Sequence, residues 1–156
     1  PGVNRPAGVG MNWLTWPSLG RFSEIGHVVL RVGIGLMMVM HGWPKVQGGP
    51  AKWASLGKAM EVFGIDFAPT FWGGAAAFTE LVGGGMLILG LGTRPAAALL
   101  AFVMLVAAAN DLADGAGVMG AAHPIEDGIV FVALIFLGSG RYGLDRQLGG
   151  VRATSR

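Results

Sequence analysis

Residues 30–45 read LRVGIGLMMVMHGWPK: an apolar run that carries Arg31 and ends on His41-Gly-Trp-Pro-Lys45. Extended back to about Glu24, it has the ~20 residues that a helix needs to cross a bilayer. A charged side chain inside such a run is costly in hydrocarbon, so it faces a bundle interior and finds a partner there. The stretch therefore reads as the first helix of a membrane bundle, and Arg31 asks for an acid on another helix.

The rest of the composition agrees. Hydrophobic residues make up 53% of the 156 residues and charged residues 13%, against roughly 25% charged in soluble domains. The length suits a single domain. The 28 glycines sit within apolar runs, where small residues let helix backbones approach closely. With no cysteine, disulfides, thiolate catalysis and cysteine-ligated metals are excluded. A net charge of +2 on scattered basic residues excludes a nucleic-acid patch.

Three more apolar runs follow. PTFWGGAAAFTELVGGGMLILGL covers Pro69 to Leu91, PAAALLAFVMLVAAAN follows the turn at Gly92-Thr93-Arg94, and PIEDGIVFVALIFLGSG begins at Pro124. Between the first two, Trp53, Leu56, Met60 and Phe63 fall at helical spacing. The expected fold is all-α, a four-transmembrane-helix bundle with a short amphipathic surface helix between spans one and two. Around this membrane domain, residues 21–146, lie an interfacial arm over 1–20 bearing Trp13 and Trp16, and a basic tail over 147–156. Four spans put both termini on one side with Arg5, Arg21, Arg94, Arg141, Arg146, Arg152 and Arg156, and leave Lys45, Lys52 and Lys58 on the other. That bias predicts cytoplasmic termini in a bacterial-type inner membrane.

Glu80, near the middle of span two, is the expected partner of Arg31, because counting from the span ends sets the two within about one helical turn in depth. The pair would either fix helix register or serve binding or proton handling. At the opposite end of the bundle from the termini, topology gathers His41, Lys45, Asn110, Asp111, His123 and Glu126. Such groups at a membrane boundary can hold a quinone headgroup or relay protons; the plainer roles are completing a helix dipole for Glu126 and a solvated loop acid for Asp111. No His-x-x-x-His or Glu-x-x-His spacing occurs, so no metal site is expected. Met37, Met38 and Met40 point around the helix and read as packing.

Three pieces, LRVGIGLMMVMHGWPK, TELVGGGMLILGLGTRPAA and GSGRYGLDR, in this order and spacing, resemble the DoxX family of small four-span membrane proteins over about residues 26–146. The resemblance implies a four-helix membrane bundle whose recurrent polar positions are Arg31, His41, Lys45, Glu80 and Arg141 with Asp145, the last two pairing just past span four. Better-known members of the family resemble subunits of redox assemblies, including thiosulfate:quinone oxidoreduction. This implies a membrane subunit of a quinone-linked redox complex, with quinone as cofactor and with lipids and other subunits as partners. Any enzymatic role would be that of the quinone-binding part of an oxidoreductase. The alternative is an accessory structural subunit without chemistry of its own.

Overall fold

The computed structural model describes residues 16–153, so most of the arm expected over 1–20 lies outside the described residues. A 3₁₀ segment, Pro17–Phe22, leads into α1, Ser23–Gln47. Helix α2, Gly49–Gly57, tightens into a second 3₁₀ segment, Lys58–Phe63, before α3, Pro69–Leu89. Then come α4, Thr93–Ala113, a single turn at Gly117–Gly120, α5, Ala122–Leu137, and α6, Leu144–Ala153. The described residues contain no strand, as the sequence predicts. The boundary expected at 146/147 falls inside α6.

Three stretches are long and apolar enough to cross a membrane: Leu19–Gln47, Pro69–Leu89 and Thr93–Ala113. The fourth apolar helix, α5, has 16 residues, about 24 Å at 1.5 Å per residue. Met38, Leu87, Ala97, Leu100, Met104, Phe131 and Leu134 form a buried core among α1, α3, α4 and α5. The outside is apolar as well, with Met40 67% and Phe136 78% exposed, as suits a surface meeting hydrocarbon rather than water.

Glycine sets the register of α1 against α3. A Cβ on Gly35 would lie 2.8 Å from the Gly84 carbonyl oxygen, and one on Gly84 would lie 2.7 Å from that of Gly35. Seven residues along α1, a Cβ on Gly42 would lie 2.5 Å from the Leu81 nitrogen. The two backbones touch at both levels, as small residues allow in membranes. In the run Gly83-Gly84-Gly85, only Gly84 meets α1; Gly83 faces Leu100 of α4, and Gly85 has nothing within 4 Å.

Helix α2 is pressed onto α3 in the same way. A Cβ on Gly57 would strike the Pro69 carbonyl, and one on Gly73 would strike that of Trp53. The Trp53 indole N–H donates to the Lys45 carbonyl at 2.9 Å, tying α2 to the end of α1. Helix α1 runs through His41-Gly-Trp-Pro to Gln47, so Lys45 remains helical and faces the bundle.

Candidate functional site

Arg31 is 2% exposed, and its Nη1 donates to the Leu87 carbonyl at 2.9 Å. Leu87 lies in the last turn of α3. There Gly90, at φ 67, closes the helix with N–H bonds from Gly90 to the Leu87 oxygen (3.1 Å) and from Leu91 to the Met86 oxygen (3.0 Å). This is the paired C-terminal capping arrangement that a left-handed glycine permits. The guanidinium adds a third donor at the negative end of the helix. The expected Arg31–Glu80 pair does not form. Span ends set by hydropathy place the two side by side, whereas the glycine contacts put the Glu80–Leu81 level opposite Gly42. Gly42 is eleven residues beyond Arg31, or about 16 Å.

Asp145 clasps the same turn from the other side. Its carboxylate accepts from the N–H groups of Gly92 (2.6 Å) and Thr93 (3.0 Å), two otherwise unpaired donors at the start of α4. Its own N–H donates to the Gly90 carbonyl at 2.9 Å. The expected Arg141–Asp145 pair is also absent. Arg141 precedes the first residue of α6, Leu144, so the four-residue spacing does not fall on a helical turn. The Arg141 N–H instead donates to Glu24 Oε2 at 2.9 Å.

Burial alone would raise the Asp145 carboxyl, but the Thr93 and Gly92 N–H bonds and the nearby Arg31 charge outweigh it and hold the group below the usual carboxylate range. A depressed carboxyl contributes stability that is fully present above its unfolded value of about 3.9 and is lost as pH falls through the folded value. Asp145→Ala should cost about 1 kcal/mol at neutral pH, as loss of a side-chain cap does. The gap from wild type should close below about pH 4. Thermal unfolding in detergent across that range measures both.

The second polar centre is a cleft. Lys45 Nζ meets Glu80 Oε1 at 2.6 Å, with the Glu80 side chain 2% exposed and that of Lys45 29%. They line a cavity of about 650 Å³ bounded by the α2–3₁₀ connector, α3 and α4. Small side chains at Ala75, Ala76 and Thr79 of α3 leave the space open, and Met60, Phe102, Val103 and Val106 give it apolar walls. Two buried polar atoms of cleft-lining residues have no partner among the described residues: Glu80 Oε2 and Trp72 Nε1. The Lys45–Glu80 pair and the Trp72 side chain, two turns of α3 from Glu80, thus border a space of small-molecule size.

The group expected at this end divides in two. Lys45, Asn110 and Asp111 line the cleft with Glu80, and Asn110 Nδ2 donates to Asp114 Oδ2 at its exposed edge (3.0 Å). His41, His123 and Glu126 do not line it. The His41 and His123 rings lie 5.2 Å apart, and His123 Nδ1 is 3.6 Å from Asp127 Oδ2 on the next turn of α5. Glu126 sits exposed beside Asp127. Two cleft features escape the sequence reading, the Trp72 indole and the choice of Lys45 as the Glu80 partner. The second had a signal, since a lysine stem can bury its methylenes while its ammonium reaches along a helix.

The DoxX family model matches residues 26–110, more than half of the chain and all of the α1–α3 register just described. This chain belongs to the DoxX family. A Bacillus subtilis (strain 168) protein named "Putative oxidoreductase CatD" is 33% identical over 87 residues, 56% of this chain and 60% of that protein. The similarity thus spans less than two thirds of CatD. No solved structure gives a significant match. Within this DoxX-family membrane protein, the matched range contains Arg31, Lys45, Trp72 and Glu80 and ends at Asn110. The His123–Asp127 half of the imidazole cluster lies beyond it.

Proposed function

We propose that this DoxX-family protein is the quinone-binding membrane subunit of an oxidoreductase assembly, and that the headgroup is held between Lys45, Glu80 and Trp72. The observation that carries the reading is that two residues lining one cleft, Glu80 and Trp72, each keep a buried polar atom without a partner, Oε2 and Nε1. An isolated buried polar atom costs free energy until it is paired. A dihydroxy ring offers a donor for Glu80 Oε2, and its dioxo form offers an acceptor for Trp72 Nε1 and for the remaining Lys45 protons. The apolar walls suit the ring. The donor set therefore fits the group that the family resemblance implies.

When bound, a quinone supplies two-electron, two-proton carrier chemistry. Glu80 accepts and returns a proton at Oε2, while Lys45 holds Oε1 and keeps the carboxylate in place. Electrons are exchanged in this reading with a redox centre on a partner subunit. In this reading α5 is a fourth, short span, the membrane is a bacterial-type inner membrane, and both termini are cytoplasmic, which puts the cleft at the outer face. The oxidoreductase in the name of CatD and the family membership support the class of reaction. Native mass spectrometry of the protein gently extracted from its own membrane tests it. A quinone-sized adduct is the expected result. Attached subunits without any such adduct would favour the accessory role.

A further inference from the structure

A second cavity, of about 310 Å³, lies between α3 and α4. Phe78, Val82 and Met86 line it from α3, and Pro95 and Leu99 from α4. Thr79 and Leu99 line both this groove and the Lys45–Glu80 cleft, so the two spaces abut. From Phe78 to Met86 the groove follows α3 for about 12 Å, away from the cleft and along the apolar length of the bundle. It has no charged residue in its lining. Phe78, Val82 and Leu99 are 46%, 55% and 57% exposed, so it opens sideways, where hydrocarbon surrounds the helices. Gly83 and Ala96 complete the lining.

We propose that this groove is the site for the apolar tail of the molecule whose headgroup occupies the cleft, a proposal that rests on the headgroup reading above. The ligand is then an amphiphile, a dioxygenated ring carrying a long hydrocarbon chain, that enters sideways from the bilayer between α3 and α4. A phospholipid is the poorer occupant. Lys45 is already neutralised by Glu80 Oε1, and the free Glu80 Oε2 repels a phosphate while it accepts from a hydroxyl.

The test uses two benzoquinols with the same ring, one without a tail and one with a decyl chain, titrated into the full chain in nanodiscs. Quenching of tryptophan emission reports occupancy, with Trp13, Trp16 and Trp43 replaced by Phe so that only Trp53 and Trp72 contribute. Comparing each compound between protein variants cancels its partition into lipid. Val82→Phe should weaken decyl binding by about tenfold, the effect of displacing a few methylenes, and leave the tailless compound within about twofold. Val82→Ala, which keeps the groove open, should retain decyl binding. Unchanged decyl binding in Val82→Phe would overturn the tail site and leave the headgroup reading standing, as would equal weakening of both compounds. Loss of a co-purified phospholipid without loss of decyl binding would assign the groove to lipid. Failure of both compounds to bind wild type would overturn both readings.

Discussion

Lys45→Ala should destabilise the protein by about 3 kcal/mol, the low end of what breaking a buried pair costs. The Glu80 carboxylate, 2% exposed, would keep one unpartnered oxygen and lose the ammonium from the other. A buried polar group left without its partner carries its full desolvation cost. Replacing both residues, as Lys45→Met with Glu80→Leu, should restore most of the stability, because apolar groups of similar volume can substitute for a buried pair. The comparison separates structure from function. If the pair served register alone, the double variant would also keep any bound ligand. Unfolding in mixed detergent–SDS micelles measures the stability of all three proteins.

Gly73→Val should be as damaging, at about 3 kcal/mol, for a different reason. Its new side chain would meet the Trp53 carbonyl, which is backbone and cannot rotate away. Overpacking typically costs 1–3 kcal/mol and reaches the upper end when main chain must move. The contact is reciprocal with Gly57, so the variant should lift α2 from α3 and open the cleft they share with α4. Gly33→Ala is the control. Nothing lies within 4 Å of a Cβ there, so alanine in the middle of α1 should leave the fold intact and gain up to about 1 kcal/mol. The same unfolding assay should rank the two variants on opposite sides of wild type.

Hydropathy carried the all-helical class, because length and apolar run are properties of each segment alone. Register was not legible in the same way. It is set by Gly35, Gly42 and Gly84, three of 28 glycines, and nothing local distinguishes Gly84 from its neighbours Gly83 and Gly85. Depth alone therefore matches Arg31 to Glu80, whereas the glycine register sets Arg31 as a cap on α3 at Leu87. Asp145 shows the same limit. Its partners are N–H groups 52 and 53 residues away, and main-chain donors leave no mark in the side-chain pattern. The cleft was half visible. Topology puts Lys45, Asn110 and Asp111 at one end, whereas the separation of His41 and His123 from them depends on which faces of α1 and α5 meet.

The proposed quinone site has Lys45 and Glu80 at its polar end. It is tested most directly by native mass spectra of wild type and the Lys45→Met, Glu80→Leu double variant, each extracted from the same membrane. The expected result is a quinone-sized adduct on the folded wild-type chain and its loss from the equally folded double variant. An adduct of the same mass and occupancy on both would contradict it and place the headgroup outside the cleft.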